Sequence, residues 1–375
     1  MKVGFVLDDS LDGADGVQQY VLLLGAWLRE HGHQVHYLTT ESSREDVDNL
    51  HSLGKHLHIK FNRNVVPLVL PSSPRKIAEV LEHEQFDVLH IQMPYGPAFG
   101  ARVISLAPTT TAVVGTFHIA PYSLTEKALS SILGYWLKPT KVHLDAVMSV
   151  SQPAKILAKD SFGLSSELIP NMVDTASFRL TKELNQHPVP RLIFIGRLVE
   201  RKGCEHFIKS LGLLSLPFQA TVVGDGNQRS KLEKLSDKLG LKEKVTFAGF
   251  VSEAEKRRLL SQADMAVFPA TGGESFGIVL IEAMAAGSCV VLAGDNPGYA
   301  SVMGSASSSL VNPKDHQQFA DKMTEFLQSP AKAQKLYSQQ QQLVKQYDVQ
   351  TVAPKILKTY QSAIAKRVKK SHTKR

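Results

Sequence analysis

The sequence predicts an α/β protein of two doubly wound, parallel-sheet domains facing each other across a cleft. Three observations carry this. The chain has 375 residues, too many for one ordinary core and suited to two domains of roughly 150–200 residues each. Short apolar strands alternate with helical patterns, which signifies parallel sheets covered on both faces. The alternation also runs twice, with a polar, proline-punctuated stretch between the two series.

In the first series Lys2–Leu7 is a short apolar strand. Val17, Tyr20, Val21, Leu24 and Leu28 then recur at helical spacing, and Gly32 stops that helix. Gln34–Thr39, Asp87–Ile91, Ala112–Phe117 and Ala146–Val150 are the further strands. Residues 1–170 form this first domain, and Pro170-Asn171 ends it. Residues 171–190 are expected to be a linker, because 181–190 read Thr-Lys-Glu-Leu-Asn-Gln-His-Pro-Val-Pro. The second domain, residues 191–349, contributes the strands Arg191–Ile195, Gln219–Val223, Lys244–Phe247, Met265–Phe268 and Cys289–Leu292. A helical stretch over residues 350–375 is expected to return to the first domain and to end in a basic tail.

Composition narrows the class. The content is 43% hydrophobic and 21% charged, as in a globular protein with an aqueous surface. Cys204 and Cys289 are too few for a disulfide framework and read as reduced core residues. No stretch reaches the roughly 20 apolar residues of a membrane-spanning helix. The N-terminus reads as a strand rather than a signal peptide. A cytoplasmic protein, peripheral at most on the cytoplasmic face of a membrane, is expected. The net charge is +8, and residues 366–375 hold six Lys/Arg and no acid. That tail is either solvated or a contact for an anionic membrane surface. It lacks stacking aromatics, and no base-reading module is visible, so no nucleic-acid partner is expected. The histidines are scattered without zinc-binding spacing, and no phosphate-binding P-loop or nucleophile elbow is present. Kinase and hydrolase chemistry are therefore disfavoured, and no metal is assigned.

Residues 272–287 carry the strongest chemical signal: Gly-Gly-Glu-Ser-Phe-Gly-Ile-Val-Leu-Ile-Glu-Ala-Met-Ala-Ala-Gly. The apolar run predicts a buried helix from near Phe276 to Gly287. Such a helix holds an acid only for a reason, since an unpaired buried carboxylate is costly. Glu274 falls at or before the first turn, where unpaired amides and the positive dipole end face outward. Glu282 lies eight residues on. An anion at the helix start, flanked by acids that bond hydroxyl groups, describes the diphosphate of a nucleotide sugar.

Gly196-Arg197 follows the strand Arg191–Ile195, and Lys202-Gly203 precedes the next helix. A planar guanidinium, an ammonium and a helix start suit a diphosphate. The loop Asp8–Gln18 has glycines that permit close backbone approach, but it lacks the full glycine fingerprint of a dinucleotide site, which disfavours NAD chemistry. His118 stands at the carboxyl end of the strand Ala112–Phe117, the edge where such sheets bind ligands.

Together these residues resemble the two-domain, Rossmann-like (GT-B) retaining glycosyltransferases of family 4, closest to the bacterial phosphatidylinositol mannosyltransferases. Glu274 and Glu282 match that family's Glu-x7-Glu pattern, and Gly196-Arg197 with Lys202-Gly203 match its diphosphate clamp. The resemblance runs from Lys2 to about Tyr360. It implies a catalytic set of His118, Arg197, Lys202 and Glu274. It implies donor contacts from Gly16, Arg197, Lys202, Glu274, Glu282 and the segment Phe276, Gly277, Ile278, Val279, with Val251, Glu253 and Lys256 near the base. It places Gln18, Asn62 and His118 near the acceptor, in the first domain.

The implied reaction moves a hexose, mannose from GDP-mannose, to a hydroxyl of a lipid-linked or glycan acceptor, phosphatidylinositol being one candidate. An acid at Glu253 suits the donor groups of guanine. No cofactor is required on this reading, since Arg197 and Lys202 supply positive charge; magnesium is compatible but not implied. The alternatives are a UDP-sugar-dependent enzyme of polysaccharide or glycolipid synthesis and a non-catalytic nucleotide-sugar-binding protein. Asp15-Gly16 replaces the family's paired glycines, residues 73–83 are less basic than the family's membrane-docking helix, and Val65–Leu70 is apolar.

Overall fold

The computed structural model describes residues 1–13, 15–61, 64–69, 72–94, 99–119, 130–135, 137–180, 184–287 and 289–373, without the side chains of 56–61, 64–69, 138 and 371–373. The chain divides into two compact units, Met1–Asn171 with Val349–Arg375, and Met172–Asp348.

In the first unit the strands are β1 (Lys2–Val6), β2 (Gln34–Thr39), β3 (Leu50–Ser52), β4 (His56–Phe61), β5 (Asn64–Val69), β6 (Val88–Gln92), β7 (Ala112–Phe117), β8 (Ala146–Ser149) and β9 (Glu167–Leu168). Seven form one sheet in the order β3-β2-β1-β6-β7-β8-β9, every pairing parallel. β4 and β5 pair antiparallel as a separate hairpin, which the alternation pattern did not anticipate. The strand Asp87–Ile91 is displaced by one residue, to Val88–Gln92.

Local chemistry explains the first crossover. The helix Gly16–Glu30 begins with a capping box, in which Gln18 Oε1 accepts from the Asp15 backbone amide at 2.9 Å. Past its end Gly32 takes φ +77°, the left-handed conformation that glycine adopts without a Cβ penalty. Val6, Leu38, Ile77, Leu81, Phe86 and Ile91 meet in the core beneath the helix Pro74–Glu84.

The C-terminal helix Val349–Thr373 belongs to this unit. It buries Val352 and Ile356 completely, each worth about 1.5–3 kcal/mol. Trp27 Nε1 donates to Gln350 Oε1 at 2.8 Å. Farther along, the fully buried carboxylate of Asp145 takes Arg367 at 2.7 Å and Lys370 at 3.1 Å, while Lys366 donates to the Asp145 carbonyl at 2.9 Å. Three of the tail's six cations thus hold the helix to its own unit.

The second unit holds β10 (Arg191–Ile195), β11 (Gln219–Val223), β12 (Val245–Gly249), β13 (Met265–Phe268), β14 (Val290–Gly294) and β15 (Leu310–Val311). Their order is β12-β11-β10-β13-β14-β15, all parallel. This is the doubly wound order, whose direction reverses between β10 and β13. Ligands bind outside the carboxyl ends of the strands at such a reversal. In the first unit the reversal falls between β1 and β6. Residues 172–190, within the expected linker, belong to the second unit; they include the helix Thr175–Phe178, with Phe178 buried.

A candidate sugar-nucleotide site

In the second unit, the two segments that leave the sheet at its reversal point carry the charged residues. After β10 come Gly196, Arg197 and a short 3-10 turn, Glu200–Lys202. After β13 comes the loop Thr271–Gly277, then the helix Ile278–Ala286. Glycines allow this approach. A Cβ on Gly203 would lie 1.9 Å from the Pro269 carbonyl oxygen, and one on Gly298 would lie 2.0 Å from the Glu274 carbonyl oxygen. Neither position accommodates another residue without moving backbone.

Glu274 is the meeting point. Its Oε1 accepts from Arg201 Nη1 at 2.5 Å and from Lys202 Nζ at 2.9 Å, with its side chain 9% exposed. Arg201 also donates to the Gly273 carbonyl at 3.2 Å, so one guanidinium fixes both the loop and its acid. Arg197 is exposed and has no side-chain partner among the described residues. An exposed guanidinium without a partner among the described residues leaves positive charge available to an anion.

The helix opens at Ile278, two residues later than expected, because Gly277 turns the chain at φ +98°. A Cβ there would meet the Tyr299 ring at 2.4 Å. Phe276 precedes the helix, and its side chain packs edge-on to Tyr347 in the core. Only its backbone is left to serve a ligand. Ile278 and Val279 supply the first helical amides, which have no acceptor within a helix.

Glu282 has its reason in the preceding helix, Glu253–Ser261. Its Oε1 accepts from Lys256 Nζ at 2.9 Å, and Lys256 also reaches Glu253 at 2.8 Å. Burial pushes the Glu282 carboxyl up, and Lys256 counters that shift. Burial alone would disfavour the Lys256 charge, but Glu282 and Glu253 outweigh it and raise its pKa. Glu253 is about half exposed, and Val251 lies just before it at the end of β12.

The corresponding sheet edge of the first unit is built from uncharged groups. His118 follows β7 and is 8% exposed. Its Nε2 lies 2.7 Å from Gln92 Oε1 at the end of β6. Burial lowers its pKa to about 3, so the ring is neutral near pH 7. Since an amide oxygen only accepts, Nε2 carries the proton and Nδ1 keeps a lone pair. Tyr20 stands edge-on at 5.0 Å. Behind it, His90 joins Thr116 Oγ1 at 2.6 Å and the Tyr360 hydroxyl at 2.7 Å.

In the β1 loop, Asp8 accepts from the Gly100 amide at 2.5 Å, tying the two sides of the reversal point. Burial raises its pKa to about 6, despite that bond. Asp12 faces Ser42 and Ser43 instead. Gly16 starts the helix, and Gln18 is buried with its amide bracing the loop through Asp15 and Ser10. Asn62 lies outside the described residues.

Sequence reasoning thus reached Glu274 and Lys202 but passed over Arg201, adjacent to Lys202, and Gln92, the partner of His118. The Arg-Lys doublet at 201–202 was the available signal for the first. Nothing in sequence links Gln92 to His118, since only the pairing of β6 with β7 places their strand ends side by side.

Comparison with known proteins gives this architecture a class. The structure of Anabaena HepE in complex with UDP and glucose superposes with a TM-score of 0.76 at 18% identity, over 96% of this chain and 100% of that one. WaaG, a glycosyltransferase involved in lipopolysaccharide biosynthesis, does so with a TM-score of 0.67 at 17% identity, over 94% of this chain and 98% of that one. The fold is therefore that of the GT-B glycosyltransferases. A glycosyltransferase family 4 model matches residues 14–177, and a model of the glycosyl transferases group 1 matches residues 179–343. The phosphatidyl-myo-inositol mannosyltransferase of Mycolicibacterium smegmatis is 31% identical over 371 residues, covering 96% of this chain and 94% of the relative. That of Mycobacterium tuberculosis H37Rv is 31% identical over 376 residues, 96% and 97%. The chain belongs to glycosyltransferase family 4, and it is a hexosyltransferase.

Proposed function

We propose that this enzyme moves mannose from GDP-mannose, with retention of anomeric configuration, to a hydroxyl of a phosphatidylinositol-type lipid. The observation that carries the reading is Glu274 pinned by Arg201 and Lys202 in the loop ahead of the helix Ile278–Ala286. The mannosyltransferase relatives support the sugar and the acceptor.

In this reaction the bond from the anomeric carbon to the β-phosphate oxygen breaks, and a bond from that carbon to the acceptor oxygen forms on the same face. The acceptor proton passes to an oxygen of the departing diphosphate. No carboxylate serves as nucleophile. Negative charge grows on the diphosphate as it leaves, so fixed cations and helix amides aimed at it lower the barrier. We assign that work to Arg197, Lys202 and the amides of Ile278 and Val279, without a metal. Glu274 bonds the hydroxyls of the transferred sugar, and Glu282, held by Lys256, bonds the ribose. Neutral His118 accepts a hydroxyl hydrogen bond at Nδ1. Glu253, half exposed, pairs with the N1–H and N2–H₂ of guanine, which uracil lacks.

Among the described residues no helix is long and apolar enough to cross a membrane. We place the enzyme on a membrane surface from the aqueous side, with Lys366, Arg367 and Lys370 committed to anchoring the last helix. Incubation with GDP-mannose and phosphatidylinositol vesicles should yield GDP and an α-linked mannosyl lipid, and UDP-glucose should yield neither UDP nor product. Turnover only with a UDP-sugar would refute the donor, and GDP-mannose turnover only with a soluble glycan would refute the acceptor.

A further inference from the structure

The first unit gathers four titratable side chains from distant parts of the sequence. Parallel pairing of β2 with β3 sets His36 beside His51, with Nδ1 of the first 3.0 Å from Nε2 of the second and the rings within 7° of parallel. Glu84 ends the helix Pro74–Glu84 and brings Oε2 to 3.7 Å from His36 Nε2. One ligand atom from each of the three lies within 4.8 Å of the others. His83, well exposed, stands with Nδ1 3.2 Å from the second oxygen of Glu84.

We propose that His36, His51 and Glu84 form a binding site for a divalent transition-metal ion of the zinc type, with water as the fourth ligand. Zinc takes imidazole nitrogen and carboxylate oxygen at about 2.0–2.2 Å in tetrahedral array, which separates neighbouring ligand atoms by roughly 3.3 Å. The His36 Nδ1–His51 Nε2 separation of 3.0 Å is a few tenths of an ångström short of that, and Glu84, which faces the other nitrogen of His36, must turn toward the shared nitrogen as the ion enters. Two facing ring nitrogens can share a single proton, and the metal replaces it. Phe86 stands edge-on to His36 at 5.3 Å and holds that ring in place. His36 is buried while His51 and Glu84 are partly exposed, so the site has a rigid floor and an open mouth. Nitrogen and oxygen donors of this kind suit zinc, nickel or copper over calcium or magnesium.

Lys2 is the competitor. Its Nζ holds Glu84 Oε2 at 3.1 Å, so the incoming ion displaces a monovalent cation. A second histidine pair, His206 Nδ1 and His316 Nε2 at 2.9 Å, gains no third ligand among the described residues. The proposed site lies toward the start of the strands: Glu84 precedes β6, and His36 pairs with Gly4 in mid-strand. His118 follows the opposite, carboxyl end of β7. The ion would therefore clamp β2, β3 and the helix end together and take no part in sugar transfer.

The test is zinc titration of the untagged, chelator-stripped chain by calorimetry, with cobalt absorption as the spectroscopic check. We expect one equivalent bound, tetrahedral cobalt bands and a zinc-dependent rise in Tm. His51→Gln and Glu84→Gln, each checked for an unchanged metal-free Tm, should weaken binding roughly tenfold or more. Lys2→Met should tighten it, and His206→Gln should leave it unchanged. No binding, affinity indifferent to both His51→Gln and Glu84→Gln, or loss of the equivalent in His206→Gln would each overturn the proposal.

Discussion

The edges of the two sheets are built from opposite materials. In the second unit, Glu274, Arg201, Lys202, Lys256 and Glu282 are tied into ion pairs at 2.5–2.9 Å. In the first, His118, Gln92, Thr116, His90 and Tyr360 form a buried network of neutral groups at 2.6–2.7 Å. The difference teaches what each edge can do. A charged cluster can meet a group whose charge changes during reaction. A neutral, hydrogen-bonded network can fix a hydroxyl in place but cannot offset a developing charge.

The largest expected effect breaks the charged side. Glu274→Ala should lower kcat by about 10²–10³, the size seen when one transition-state contact is removed, while GDP affinity by calorimetry stays within a few-fold. Equal turnover would take Glu274 out of the catalytic set. Next, Arg197→Ala should weaken GDP binding by about tenfold, the equivalent of about 1.4 kcal/mol, and leave Tm unaltered because the side chain is exposed and without a partner among the described residues. A fall in Tm would show that Arg197 is structural.

The neutral side responds differently to acid. His118 and His90 are both held below their ordinary pKa by burial, His118 at about 3. The unfolded chain therefore binds more protons than the folded one once pH falls below about 6.5, so stability is whole above that pH and declines beneath it. Each histidine contributes a slope of about 1.4 kcal/mol per pH unit in that window. His90→Gln should flatten the loss of stability between pH 6.5 and 4, measured by denaturant titration. An unchanged slope would mean that His90 stays exposed to protons when folded. The smallest effect concerns orientation. Gln92→Leu should remove the acceptor that fixes the His118 tautomer and cut kcat/KM a few-fold, with GDP affinity unchanged and no new limb in the pH–rate profile near 6.5.

Sequence made the backbone plan legible because alternation and glycine placement are local. Gly277 and Gly287 bracket the helix Ile278–Ala286, with φ +98° and +71°; Gly287 was visible as the stop, whereas Gly277 was passed over and the start was expected near Phe276. The hairpin β4–β5 was not read, since two adjacent strands inside an alternating series carry no helical interval to mark them. The acid at Glu282 was recognised as needing a reason, but its partner Lys256 sits 26 residues earlier and is set by helix packing. The same limit hid the histidines. Their spacing along the chain shows no metal pattern, whereas the pairing of β2 with β3 brings His36 and His51 together. Charge along the tail was plain, yet its engagement with Asp145 depends on where the last helix lies.

Whether the second unit grips the diphosphate is decided by calorimetric titration of GDP into the wild-type chain and into Lys202→Met. A measurable exothermic site is expected in the wild type, weakened about tenfold or more in the variant, with Tm in the absence of ligand little changed. Identical binding in the two proteins, or no heat with any sugar nucleotide, would contradict such a grip.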